Sequence, residues 1–234
     1  MTKLTVVIPT LKKYKTGLDY LKNYFKDKQY RVVLVDNSLR NLGFAPAVNK
    51  GAKDAKTKWL LILNDDIKFY DDNTLERLIK EAEVKKLDAL SPTLINPGGR
   101  MENVAYKILP NGSIGKGNIK KNDYDGLTAA CLLIKTAVFE KLGGFDEEFF
   151  VSLEDVEFFL RFKKVGYKMG VSSIKVFHNH MTTTSTMGNF KTRQDMINWW
   201  RLYLKHPDRF KLNLDFIVER LRNVSGFIKA SIKS

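Results

Sequence analysis

The sequence predicts an α/β protein built on a Rossmann-like, mostly parallel central sheet flanked by helices, with a helical extension at its C-terminal end. Three observations carry this. Short β-rich runs recur at residues 4–9 (LTVVIP), 31–36 (RVVLVD) and 59–65 (WLLILND). The segments between them, GLDYLKNYFKD and APAVNKGAKDA, read as helices, so the order is strand, helix, strand, helix, strand. At the other end, residues 191–234 hold ten Lys/Arg and four Asp/Glu, 10 − 4 = +6, with Ile217, Leu221, Val224, Ile228 and Ile232 at helical spacing.

Parallel strands joined by right-handed crossovers all end on one edge of the sheet, where open α/β folds bind ligands. Asp36 and Asp66 therefore share one crevice. After NDDIKFYDDNT a helix is predicted from Asn73, as N-cap, through Lys86, followed by the strand DALSPTLI. Residues 96–126 are rich in Gly, Asn and Lys and read as hairpins and loops. GLTAACLLIK resumes as a buried strand, and KTAVFEKLG is a helix closed by Gly143 and Gly144. A helix LEDVEFFLRFKKVG and a strand KMGVSSIKVFHNH come next, then a TTTSTMGN loop over residues 181–189 and helices to the end. The expected division is a domain at 1–188, in two parts at 1–97 and 98–188, and an extension at 189–234.

With 234 residues, 44% hydrophobic and 12% aromatic, the chain can bury a full core. No segment has the pattern of a secretory leader, and no apolar run reaches the ~18 residues that span a bilayer, so a cytoplasmic protein is expected. The single cysteine, Cys131, excludes an internal disulfide and a cysteine-based zinc site. A net charge of +14 calls for an anionic partner or a solvated lysine-rich surface. No finger, RNP or basic-zipper pattern supports nucleic-acid binding. The basic extension can lie on an anionic membrane, or pack on the domain or on a second subunit as a homodimer.

Two phosphate-binding signatures are absent. After the first strand the chain offers TLKKYKTG, neither G-x-G-x-x-G nor a P-loop. A divalent cation is the common alternative, and Asn64-Asp65-Asp66 supplies hard oxygen ligands at the sheet edge. The same residue types also open turns, and Asp36 before Asn37-Ser38 has that second reading too. Glu154 and Asp155 open a helix, where carboxylates ordinarily act as caps. His178 and His180 point to one face of a strand, a zinc-compatible geometry without a third ligand at hand. His206 reads as a loop residue, and Arg161 as a local ion-pair partner.

The motifs VVLVDNS, NLGFAPAVNKG, LNDD and the block from GLTAACLLIK to RFKKVGY together resemble the family 2 glycosyltransferases of the GT-A fold, especially their rhamnosyltransferase-like branch. The resemblance covers residues 4–180 and extends loosely into NWWRLYLKHP. It implies an inverting enzyme that moves a sugar from a UDP- or dTDP-linked donor to a hydroxyl of a glycan or lipid-linked acceptor, with Mn²⁺ or Mg²⁺ as cofactor. Thr10 and Asp36 would meet the donor base, Asp36 accepting a hydrogen bond from the pyrimidine ring nitrogen. Asn41, Gly43, Asn49 and Gly51 would shape the loop and helix beside the nucleotide. Asn64-Asp65-Asp66 stands for the family's D-x-D, with Asp66 as metal ligand and Asn64 and Asp65 beside the donor; the family often has proline where Asp65 stands. Asp155 would be the general base, Glu154 would orient the acceptor or the base, and His178 would join Asp66 on the metal, with His180 on phosphate or packing. Such an enzyme would serve cell-envelope polysaccharide synthesis, peripherally at the inner face of the plasma membrane. A sugar-phosphate nucleotidyltransferase and a non-catalytic sugar-nucleotide-binding protein are the rival readings.

Overall fold

In the computed structural model, which describes residues 3–179, 188–210 and 212–232, the apolar runs become strands and the amphipathic segments become helices. The first part of the chain holds β1 (Leu4–Thr10), α1 (Lys15–Phe25), β2 (Arg31–Asp36), α2 (Phe44–Ala52), β3 (Trp59–Leu63), β4 (Ile67–Phe69), α3 (Thr74–Val84) and β5 (Ala89–Ile95). There follow β6 (Ala105–Ile108), β7 (Ile114–Lys116), β8 (Gly126–Leu127), β9 (Cys131–Lys135), α4 (Thr136–Lys141), α5 (Glu154–Val165), β10 (Met169–His178), α6 (Gly188–Lys205) and α7 (Leu214–Ile232).

The main sheet runs β2-β1-β3-β9-β5-β10-β4, and β6, β7 and β8 form a separate small sheet. β1 pairs in parallel with β2 and β3, and β5 with β10, whereas β9 and β4 run antiparallel to their neighbours. The sheet is thus mixed. All five residues of β3 are fully buried because helices cover both faces, which is why WLLIL reads as a continuous apolar run. One face packs Leu21 and Phe25 of α1 with Leu75 and Leu78 of α3; the other packs α2, α4 and α5 through Val48, Phe139 and Phe158.

Three expectations are corrected. GLTAACLLIK is not one strand: Gly126 and Leu127 belong to the small sheet, Cys131 to Lys135 to the main one, and the chain bends between them. IKF after the acidic triplet is an unforeseen strand, β4, antiparallel to β10. Asn73 occupies the N-cap position of α3 without a side-chain cap; Asp71 Oδ1 instead accepts from Asn73 N (3.0 Å) and Thr74 Oγ1 (3.1 Å). His206 lies in the loop after α6 as expected and is buried there, with Nε2 3.1 Å from Glu157 Oε1, and the same carboxylate pairs with Arg161 in the expected local bridge.

The C-terminal helices join the domain core. Trp199, Leu202, Phe210 and Phe216 lie in the same buried cluster as α5. Asn198, fully buried, donates through Nδ2 to the carbonyls of Val151 (2.9 Å) and Ser152 (2.8 Å). What reads as an extension therefore braces the turn that opens α5. Among the described residues, no helix is long and apolar enough to cross a membrane. The predicted loop over residues 181–189 lies mostly outside the described residues, as does His180; residues 188 and 189 begin α6.

Candidate active site

The carboxyl edge of the sheet is a cleft of about 430 Å³. Its walls include Thr10 from the end of β1, Asn41 and Gly43 before α2, Asn64, Asp65 and Asp66 after β3, Glu154 and Asp155 from α5, and His178 from the end of β10. Register explains the first wall: Thr10 pairs with Asp36, and Asn37 N donates to Thr10 O (2.8 Å), so the β1 and β2 ends lie side by side. Thr10 Oγ1 in turn donates to Asp65 Oδ2 at 2.5 Å. Burial raises the Asp65 pKa against the effect of that bond.

The unforeseen β4 builds the second wall. Pairing His178 with Ile67, and donating Asn179 N to Asp66 O (2.9 Å), sets the Asp66 side chain against the imidazole. Asp66 Oδ1 is buried without a hydrogen-bond partner among the described residues, and His178 Nε2 stands 3.3 Å from it. On the other side of the ring, Nδ1 meets Glu102 Oε2 at 2.9 Å. Burial disfavours the charged ring, but the two flanking carboxylates outweigh it and raise the His178 pKa.

These residues fit a divalent cation. An octahedral ion with ligands at about 2.1 Å separates adjacent donors by about 3.0 Å, close to the Asp66–His178 spacing. Glu102 fixes the ring orientation from behind, as outer carboxylates do for metal-binding histidines. Among the described residues, no group of three His, Cys, Asp or Glu side chains is placed to hold a metal. Two protein donors leave the remaining positions to water or a ligand's oxygens, the pattern of sites completed by phosphates.

On the opposite wall, α5 begins without a side-chain cap, after two consecutive left-handed residues, Ser152 and Leu153, each at φ 67°. Such geometry in non-glycine residues costs on the order of 1–3 kcal/mol each and persists only where surroundings impose it, here the Asn198 clamp. It turns Glu154 and Asp155 into the cleft. Asp155 Oδ1 accepts from Val156 N at 2.8 Å, so part of the capping role is real. Desolvation by burial raises both carboxyls, Asp155 to about 6 and Glu154, which also faces the Asp155 charge, to about 8. Two buried carboxyls side by side resist ionising together, so the pair holds a proton to higher pH than separate carboxylates would.

Of the other residues expected on the nucleotide side, Asp36 and Asn49 lie off the cleft wall, whereas Asn41 and Gly43 line it. Asp36 is outside the cleft lining, at the exposed edge beside Thr10, bound by Lys12 Nζ (2.5 Å) and Ser38, contacts that hold its carboxyl well below the usual range. Asn49 faces away and ties α2 to the α4–α5 connection, donating to Phe145 O (2.8 Å) and accepting from Phe145 N (2.9 Å). Asn41 lines the cleft while its Oδ1 accepts from Gly43 N (3.1 Å). Gly43, at φ 95°, lies where a Cβ would come within 2.5 Å of Phe150 O, so only glycine lets this loop reach the far wall.

The family model described as glycosyl transferase family 2 matches residues 6–143. The chain belongs to glycosyl transferase family 2. Among curated members, it is 31% identical over 140 residues to the O-antigen biosynthesis protein RfbC of Myxococcus xanthus, covering 53% of this chain and 11% of that one. It is 24% identical over 180 residues to the N-acetylglucosaminyl-diphospho-decaprenol L-rhamnosyltransferase of Mycobacterium tuberculosis, covering 62% and 58%. This family 2 chain thus spans a small part of the first relative and little more than half of the second. Of solved structures, TarS 1–349 of S. aureus superposes with a TM-score of 0.54 at 16% identity, covering 98% of this chain and 81% of that one. The mannosyltransferase PcManGT of Pyrobaculum calidifontis, in complex with GDP-Man and Mn²⁺, gives 0.58 at 14%, covering 98% and 73%. The fold is accordingly GT-A.

Three contributors to this family 2 site escape sequence reasoning. Glu102 lies in a loop between the sheets and carries no motif. Asn37 is buried and holds the loop before α2 by donating to Gly43 O (3.0 Å) and accepting from Leu42 N (2.9 Å); its position in VVLVDNS was the available signal. Asn198 acts from the far end of the chain.

Proposed function

We propose that this protein is an inverting, metal-dependent glycosyltransferase that moves a sugar from a UDP- or dTDP-linked donor to a hydroxyl of a glycan or lipid-linked acceptor in cell-envelope polysaccharide synthesis. One observation carries it. In a chain of net charge +14, the cleft is lined by four carboxylates, Asp65, Asp66, Glu154 and Asp155, and by no lysine or arginine among the described residues. Such a lining suits a diphosphate that brings a cation with it, and it leaves Glu154 and Asp155 on the opposite wall as candidates for proton removal.

When bound by Asp66 and His178, Mn²⁺ or Mg²⁺ supplies the positive charge that offsets the charge growing on the leaving diphosphate. Thr10, Asn41 and Asn64 hold the nucleotide side, with Asp36 at the rim for the pyrimidine. Asp155 takes the acceptor's hydroxyl proton while that oxygen bonds to the anomeric carbon and the carbon–diphosphate bond breaks, its electron pair leaving with the diphosphate. Glu154, beside it, orients the acceptor or the base. Base catalysis of this kind contributes about 10²–10⁴-fold, and alignment of the two substrates supplies much of the rest.

The test is release of nucleoside diphosphate from UDP- and dTDP-sugars that depends on an added acceptor. Synthesis of a nucleotide sugar from sugar phosphate would replace this reading by a nucleotidyltransferase, and donor binding without turnover by a binding protein. Because the base works only when ionised and Asp155 is raised to about 6, kcat/KM should fall about tenfold per pH unit below that value. A rate flat down to pH 4.5 would exclude Asp155.

A membrane-side location draws support from α7. Phe216 and Arg220 are buried against the domain, while Leu214, Ile217, Leu221 and Ile228 of the same helix are exposed. An outward apolar stripe on a segment of net charge +6 suits an anionic bilayer surface. Replacing Leu221 and Ile228 by serine should lower association with phosphatidylglycerol vesicles at least tenfold, at about 1.5 kcal/mol or more per side chain withdrawn from water. Vesicle association equal to wild type would remove the membrane from this account.

A further inference from the structure

The segment that leads into α5, residues 146–153, is pinned from two sides. Toward the cleft, Phe149 is fully buried and Phe150 O accepts from Phe44 N at 3.0 Å, which ties the segment to the loop that carries Gly43. From the other side, one face of α6 presents Asn198, Arg201 and Lys205, three and four residues apart. Lys205 Nζ reaches Asp146 Oδ2 (2.5 Å), and Arg201 Nη1 donates to Glu148 O (2.7 Å). Asn198 takes the last step, to the carbonyls of Val151 and Ser152. Both α6 and this segment follow residue 143, where the family match ends.

Every polar atom of the Asn198 amide is used. Arg201, which has only N–H groups to offer, donates through Nη1 to Asn198 Oδ1 at 3.0 Å. That contact sets which end of the amide is which and turns both Nδ2 hydrogens toward the two carbonyls. Asn198 is fully buried, so water does not compete for either bond. Two consecutive non-glycine residues at φ 67° form a costly conformation, and these bonds hold Ser152 and Leu153 in it. Glu154 and Asp155 come next, so any relaxation of the turn re-aims both carboxyls.

We propose that Asn198, oriented by Arg201, is a positioning residue for the transfer step: by holding the Ser152-Leu153 turn left-handed it aims the Asp155 carboxylate at the acceptor's hydroxyl. Asn198 is not part of the cleft lining and touches neither substrate. Nor is it needed to seat α6, which Trp199 and Leu202 already anchor in the core. What it supplies is alignment, and a displacement of about 1 Å from a reacting geometry costs about 10²-fold in rate. The inference rests on the transferase reading above, because it takes Asp155 as the base.

Asn198→Ala tests this in full-length protein, with Ser152→Gly as the rescue. Acceptor-dependent release of nucleoside diphosphate from UDP- and dTDP-sugars should lose about 10²-fold in kcat, while UDP affinity with Mn²⁺ stays within about twofold of wild type because the Phe44–Phe150 link is untouched. Glycine takes positive φ without a steric cost, so adding Ser152→Gly to Asn198→Ala should recover about fivefold or more in kcat although it makes no new contact. A purely structural role predicts the opposite, a lower melting temperature with kcat retained in the folded protein and no recovery from a second deletion. Arg201 is partly exposed, so Arg201→Met should fold, leave the amide free to turn over and lower kcat about tenfold; it carries the test if Asn198→Ala does not fold. Backbone NMR shifts of Ser152 and Leu153 read the sign of φ directly and should lose their left-handed values in Asn198→Ala. Retained left-handed shifts overturn the clamp. An altered turn with wild-type kcat overturns the positioning role and leaves the transferase reading intact. If wild type releases no nucleoside diphosphate with any acceptor, the transferase reading falls and this role falls with it, even where the shifts still report the clamp.

Discussion

Asp155→Asn is expected to bind nucleoside diphosphate as tightly as wild type while transfer falls by about 10²-fold or more, equivalent to about 2.7 kcal/mol of transition-state stabilisation. The two side chains have nearly the same shape, and the asparagine carbonyl can still accept the hydrogen bond that Asp155 Oδ1 takes from Val156 N. Losing a buried charge removes the desolvation that raises the native carboxyl, so the variant should melt no lower than wild type. It cannot take the acceptor's proton. If these carboxylates served only to cap α5, the opposite would follow, with lower stability and turnover retained. Melting temperature, donor affinity and turnover on one preparation separate the two, and normal turnover in the folded variant rules out Asp155 as the base.

What could be read from the sequence follows the range of the interactions. The order strand, helix, strand, helix, strand was readable because each run advertises its own period, and parallel strands with crossovers carry their ends to one edge without further information. Thr10, Asn64, Asp65 and Asp66 reach the cleft for that reason. Features made by partners far apart in the chain were not readable. β4 is three residues of ordinary composition that become a strand only because β10 lies beside them. Glu102 reaches His178 across 76 positions, and Asn198 reaches the Ser152 carbonyl across 46, with nothing local to mark either. The C-terminal helices follow the same rule: their basic, periodic surface was visible and packing on the domain was one of the open readings, whereas the burial of Trp199 and Phe216 depends on distant partners in α5 and the rest of the core. Asn49 shows the converse, since a motif position that suggests a ligand contact is occupied by hydrogen bonds to the Phe145 backbone.

The other large effect is expected at Asp66. In wild type, Mn²⁺ should tighten nucleoside diphosphate binding strongly, because the diphosphate brings its charge into a cleft that already holds carboxylates and no basic side chain among the described residues. Asp66→Asn keeps the backbone link to Asn179 N and the shape of the side chain, but replaces a charged oxygen ligand with a weak neutral one. The Mn²⁺-dependent gain in affinity should therefore shrink at least tenfold, while affinity measured in chelator stays the same or rises slightly as one repulsive charge is removed. His178→Gln should reduce the same gain, since Nε2 faces Asp66 Oδ1 across 3.3 Å. Glu102→Gln should act more weakly, because it changes the orientation and basicity of the ring rather than a ligand. Calorimetry of UDP binding with Mn²⁺ and with chelator reads all three without any turnover. A wild type that binds UDP equally in both conditions would remove the cation from the mechanism, and an undiminished gain in Asp66→Asn would move it to other ligands.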